Sequence, residues 1–371
     1  MGIRPRPTPS SPPPPPAPSS PPSSSPSPPP PPPPPPSPPP PTPPITSETQ
    51  PSTPPPPPPP PPPPSFNRIF VANLDSDTVS VIDGASNIVI ATVPVGDGPA
   101  PFGMTANTAT NRVYVPNVDS GNVSVIDGVA NTVVATVAFA EFSNPSGAAS
   151  NPATNRIYVT DQNFDTVSII DGGSNLIAAT LTLPLASVPA PIAVNPATNR
   201  IYVVNNNADT VSVVDGTTNI FLATIPVGVN PVSIDINPAT NRIYVANAFA
   251  VASPLPDTVS VIDGATNVIV ATVTVGPDPF GVAVNPVTNR IYAANQATGD
   301  SVSVIDGTTN QVIATIPVGD DPRGLAVNPV TNRIYVPNQN DSTVSVIDGT
   351  NNAIIATITV GLSPSYITVI P

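Results

Sequence analysis

Carboxylates and arginines carry almost all the chemistry that this chain can offer. All ten of its basic residues are arginine, and it has no lysine, histidine, cysteine or tryptophan. That removes the imidazole and thiolate ligands of haem, copper and catalytic zinc, the Ser-His and Cys-His nucleophile pairs, and lysine Schiff bases. What remains is carboxylate chemistry of the kind used in calcium-assisted hydrolysis. Asp235 stands out because it replaces an apolar residue of an inner run, Val232-Ser-Ile-Asp-Ile-Asn237; it is expected to face the channel, where a water-solvated carboxylate is the plain reading and a base or ligand the sharper one. Glu141 is the single glutamate after residue 64, and Arg323, beside Asp320 and Asp321, is expected to form an ion pair at a rim. Thirteen aspartates outside the repeat, Asp320 and Asp321 included and with Asp77, Asp165, Asp209, Asp257 and Asp300 among them, offer oxygen ligands for a hard cation. None forms a dense calcium loop, and many precede Thr or Ser at a strand start, where Asx turns account for them. The expectation is therefore no cofactor, no metal and no catalytic constellation.

The remaining arginines and aspartates recur with a period. Asn-Arg falls at 67, 111, 155, 199, 241, 289 and 332, with spacings of 44, 44, 44, 42, 48 and 43 residues. A period of roughly 40–45 residues holding four short β-branched runs is the pattern of propeller blades. In the sixth unit the runs are 281–285, 291–295, 301–306 and 312–318, bounded by Gly, Pro, Asn and Asp clusters. The expected fold is all-β: a seven-bladed β-propeller of four-stranded antiparallel blades spanning residues 65–371. Antiparallel pairing places each second-strand Arg beside a third-strand Asp: Arg68 with Asp83, Arg112 with Asp127, Arg156 with Asp171, Arg200 with Asp215, Arg242 with Asp263, Arg290 with Asp306, and Arg333 with Asp348. Each pair is expected to staple its own blade through a forked ion pair. The Asp-Gly after each third strand is read as a turn in which Gly supplies a positive φ.

Tyr158-Val-Thr-Asp161, Tyr202-Val-Val-Asn205, Tyr244-Val-Ala-Asn247 and Tyr335-Val-Pro-Asn338 resemble the core of the YVTN-type β-propeller repeat over residues 66–371. The resemblance implies that the Gly-Val-Ala-Val-Asn strand is innermost, so the chain enters the ring on a second strand at Ile69. The last inner strand, 366–370, then completes the first blade and closes the ring. The family includes binding and surface proteins as well as relatives resembling lactonases, so the resemblance leaves activity open.

Residues 1–64 hold 39 of the 63 prolines and almost no large apolar side chains, and are read as a polyproline II or disordered tail. At about 3.1 Å per residue it would reach on the order of 200 Å. Its Ser-(Pro)n blocks resemble those of extensins and other hydroxyproline-rich glycoproteins, which implies sugar-bearing hydroxyproline in the runs at Pro12, Pro28, Pro38 and Pro54, and an extracellular or cell-wall location. Asn122 and Asn340 head N-glycosylation motifs in such a setting. Met1-Gly-Ile-Arg-Pro5 has no apolar run of the signal-peptide kind.

A net charge of −13 without a basic patch disfavours nucleic acid and anionic membranes. No stretch is apolar enough to insert into a bilayer as a helix. Protein or glycan partners are expected. Self-assembly is expected through the tail or through outer runs 133–139, 269–275 and 354–360, which lack the proline that Pro94, Pro226 and Pro317 put in other outer runs. The reading is a non-catalytic extracellular structural or interaction protein; the alternative is a ligand-binding or lactonase-like propeller with its site at the channel mouth near Asp235.

Overall fold

The computed structural model describes residues 67–98, 103–184, 187–248, 256–297 and 299–371. They form seven sheets, each of four antiparallel strands. In blade one the order from the channel outward is Pro364–Ile370, Arg68–Asn73, Thr78–Asp83 and Ile88–Pro94. The inner strands of blades two to seven are Thr105–Asn107, Pro145–Asn151, Pro189–Asn195, Pro231–Asn237, Pro279–Asn285 and Ala326–Asn328. Each touches the next around the axis, and the last touches Pro364–Ile370, so the ring is closed by the C-terminal strand. Phe70 pairs with Thr368 and Ile69 with Val369 at this closure.

Burial follows position in the blade. The second and third strands, such as Arg290–Asn295 and Ser301–Asp306, are buried along nearly their whole length, because sheets pack on both of their faces. Outer strands such as Val268–Thr274 alternate between exposed and covered side chains. The core is divided accordingly into seven apolar clusters, each drawn from two adjacent blades. Six tyrosines, Tyr114, Tyr158, Tyr202, Tyr244, Tyr292 and Tyr335, and Phe70 of blade one are fully buried at equivalent positions.

The turns correct one detail of the sequence reading. In the Asp-Gly turns the positive φ belongs to Asn87, Asn131, Asn175, Asn219, Asn267, Asn310 and Asn352, not to the glycine. The amide of each returns to the carbonyl of the Asp, as in Asn87 to Asp83 at 2.8 Å. The glycine is required for space instead: a Cβ on Gly307 would lie 2.5 Å from Asn289 Oδ1. The proline-run positions Pro12, Pro28, Pro38 and Pro54 lie outside the described residues.

Candidate functional site

The inner strands enclose a central cavity of about 320 Å³. One side chain per blade, the register partner of the buried aromatic, forms a ring within it: Thr105, Ala149, Ala193, Asp235, Ala283, Ala326 and Thr368. Small residues suit this ring because seven strands converge there. Asp235 is its one charge. Its Oδ1 accepts the amide of Ile236 at 2.8 Å, and its Oδ2 accepts the amide of Val284, in the next blade, also at 2.8 Å. Thr105 does the same in blade two, where its Oγ1 accepts the amide of Ser150 at 3.1 Å. Asp235 is thus a bridge between neighbouring inner strands as well as a wall of the cavity, where it is half-buried.

Burial pushes the Asp235 carboxyl up to about 6, against the two amides, which lower it. Between its ordinary value and about 6 the folded chain holds a proton that the unfolded chain has released. The resulting stabilisation is complete below about pH 4 and is lost as the pH rises through about 6. The stability of the wild type minus that of Asp235→Asn should therefore fall by about 1–3 kcal/mol between pH 4 and pH 7, the lower figure applying if cavity water reaches the group. Urea titrations of both proteins across that range would measure it, and a flat difference would remove the perturbed carboxyl.

Toward the variable rim, the end of the ring that carries the loops between second and third strands and between blades, Tyr366 lines the cavity with Phe280 and Arg323 packed beside it. Tyr366 lies across Gly324, where a Cβ would stand 2.6 Å from its Cε1. Its ring is 6.1 Å from that of Phe280, tilted by 57°, and the Arg323 guanidinium sits 4.4 Å from the Phe280 ring centre. Arg323 Nη2 also pairs with Asp321 Oδ2 at 3.0 Å, which is the rim ion pair expected from the sequence. Burial raises the Tyr366 hydroxyl above its ordinary range, with Arg323 opposing. No ionisable group among the described residues other than Asp235 and Tyr366 lines the cavity. Among the described residues, no three Asp or Glu side chains gather closely enough to hold a metal ion.

The opposite rim corrects the staple expectation. The register does place all seven arginines opposite their aspartates. Only Arg68–Asp83 and Arg242–Asp263 form ion pairs within a blade. Arg112, Arg156 and Arg290 instead donate to the carbonyls of Gly172, Gly216 and Gly349 in the following blade, at 3.0, 3.1 and 3.0 Å. Arg200 and Arg333 reach Gly264 and Gly84 in the same way. Asp127, Asp171, Asp215, Asp306 and Asp348 are occupied by their own turns: Oδ1 of Asp215, for example, accepts the amides of Thr217 and Thr218 at 2.8 and 2.9 Å. Those amides are the first cause holding the Asp215 carboxyl below its ordinary value, and turn amides do the same at Asp171, Asp306 and Asp348. Asp83 and Asp263 cap their turns through Oδ1 in the same way and meet their arginines through Oδ2, so turn capping does not select between the two arginine partners; five of the seven arginines tie blades together.

Two further sets of bonds were not anticipated from the sequence. The Asn ending the inner strand donates to the Asn of the next Asn-Arg pair: Asn107 to Asn155, Asn151 to Asn199, Asn195 to Asn241, Asn237 to Asn289, Asn285 to Asn332, and Asn328 to Asn67, at 2.7–2.8 Å. The recurrence of Asn-Pro-x-Thr-Asn-Arg in five units, with Asn107-Thr-Ala-Thr-Asn-Arg112 in a sixth, was the available signal. On the variable rim, Asp77, Asp165, Asp209, Asp257 and Asp300 accept loop amides 21–23 residues ahead, such as Asn230 to Asp209 at 2.7 Å. These side chains clasp the blade-to-blade loops, where Asx turns had been expected. Asn340 is exposed and its Nδ2 donates to Asp320 Oδ1 at 3.3 Å, whereas Asn122 is partly buried and its Nδ2 donates to Ser120 O at 3.2 Å.

No protein-family model matches the chain, and none of the curated proteins matches it. Among solved structures it is similar to Kuenenia stuttgartiensis hydrazine synthase, with a TM-score of 0.65 and 18% identity, covering 73% of this chain and 89% of that one. It is also similar to a functionally unknown protein from Desulfotomaculum acetoxidans, with a TM-score of 0.69 and 13% identity, covering 82% and 98%. At these identities the likeness is one of fold, and the chain is a seven-bladed β-propeller.

Proposed function

We propose that this is a non-catalytic extracellular interaction protein: a propeller of the YVTN type on a glycosylated proline-rich stalk, serving as the repeating subunit of a surface fibre or cell-wall assembly. The observation that carries this reading is the outer wall. Every blade ends in a seven-residue strand paired on one side only, with a large apolar side chain turned to solvent: Ile88, Val134, Leu176, Ile220, Val268, Ile313 and Ile355 are 44–67% exposed. A repeated exposed apolar surface of this kind suits protein contact. Meanwhile the one charged side chain of the cavity ring is held by two backbone amides. Asn340, exposed on the variable rim, remains a candidate for sugar.

Native material decides the matter. Mass spectrometry should find hydroxyproline bearing pentose ladders in the runs beginning at Pro12, Pro28, Pro38 and Pro54, and negative-stain images should show filaments. Unmodified proline in single, unassembled particles would overturn the proposal. The cavity, with Asp235 and Tyr366 in its wall, favours one other reading, a small-ligand or lactonase-like site. Under that reading Asp235→Asn abolishes ligand binding or turnover.

A further inference from the structure

The sevenfold repeat supplies its own reference for what is unusual, and blades two and three depart from it together. The residue following each outer strand bonds back to the start of the third strand in every blade. It is aliphatic in six of them, Val95, Leu183, Val227, Val275, Val318 and Val360, and aromatic only at Phe139. In the turn between second and third strands, Phe164 replaces Ser76, Ser120, Ala208 and Asp341 of the other short turns. These two rings, with Ile177, line a groove of about 410 Å³ on the outer side of the ring. Phe164 is 47% exposed and Ile177 37%.

The loop bordering the groove carries a third phenylalanine. Phe142 is 77% exposed and has a φ of +65°, a conformation that costs a bulky side chain energy and that no burial offsets here. Asn163 Nδ2 donates to its carbonyl at 2.8 Å and holds the loop to the Phe164 turn. Glu141, exposed, stands beside it.

We infer that this groove is a docking site for a polyproline II segment, supplied by the proline-rich tail of a second copy of the chain. Aromatic-lined grooves take polyproline II helices because flat rings pack against the pyrrolidine faces and the ligand is already extended, so little entropy is lost. The chain itself carries such ligands, the runs at 12–16, 28–36 and 38–41. Charge is complementary as well. Residues 65–371 hold 22 of the 23 acidic residues, whereas Arg4 and Arg6 precede the first proline run. The inference rests on the interaction-protein reading but concerns bare proline rings, not their sugars.

The test uses the recombinant full chain with unmodified prolines. Sedimentation velocity should show concentration-dependent self-association, and a synthetic peptide of residues 27–36 should compete it away, while a Gly-Ser peptide of equal length should not. Phe164→Ser and Phe142→Asn should each weaken association at least about tenfold, as loss of an aromatic anchor does. Asn tolerates the positive φ, so Phe142→Asn should leave the melting temperature unchanged or raised, which separates binding from folding. If the chain assembles and the two substitutions are inert, the groove is wrong while the interaction reading stands. A chain that stays monomeric, or assembly that ignores the peptide, overturns the inference too.

Discussion

Deleting residues 366–371 should cost the propeller its cooperative unfolding, not merely a frayed end. The lost strand pairs with Arg68–Asn73 and carries Tyr366, Ile367, Val369 and Ile370, all buried. At about 1.5–3 kcal/mol per large buried side chain, its removal withdraws roughly 6–12 kcal/mol, comparable to the whole stability of a typical domain. The damage also spreads to both neighbours, because Tyr366 and Ile370 belong to the cluster between blades one and two, and Ile367 and Val369 to that between seven and one. Blade one would be left with an open inner edge facing the channel. Calorimetry on the truncated chain should show a broad, early transition or none. A single sharp transition at the parental temperature would mean that the ring does not depend on its last strand.

Gly147→Ala should be the most damaging single-methyl change. A Cβ there would land on the Ala190 carbonyl oxygen of the next blade and come within 3.2 Å of Thr160 Oγ1. Neither neighbour can yield, because Thr160 Oγ1 donates to that same carbonyl at 2.7 Å and accepts the amide of Gly147 at 3.0 Å. Overpacking against fixed backbone costs about 3 kcal/mol or more, so thermal denaturation should drop by about 5 °C or more. Gly173→Ala is the control. Its nearest new contact is Asp171 Oδ1 at 3.3 Å, and it should stay within about 1 kcal/mol of the parent. Equal melting temperatures for the two variants would show that inner strands can slide apart.

Both expectations concern where blades meet, and that is also where sequence reading reached its limit. The alternation and turn residues of 291–295 and 301–306 gave strands that differ from the observed Arg290–Asn295 and Ser301–Asp306 by one residue at most. Outer strands end at Pro94, Pro226 and Pro317 and, at the same register, at Ala138, Thr182, Thr274 and Thr359, opposite the first residue of the third strand. Inner strands were placed less well: 281–285 was expected and Pro279–Asn285 is found, because Pro279 pairs with Asn295 across a register shift that passes over Phe280. The Arg-Asp register was legible, but the partner of Arg112 was not. Antiparallel pairing is a short-range consequence of the turn, whereas Gly172 is brought to Arg112 from 60 residues away by the rotation between blades.

The sequence by itself determined the number of blades and the pairing within each, since period, alternation and turn chemistry act over a few residues and repeat seven times; which strand lies innermost came from the resemblance to the YVTN-type repeat. Only the tertiary structure decided what lies between blades: the Asn-to-Asn bonds, the arginines reaching Gly carbonyls, Asp235 bridging to Val284, and the phenylalanines gathered beside blade three. These contacts join residues far apart in the chain, and no local periodicity encodes the angle at which one sheet packs upon the next.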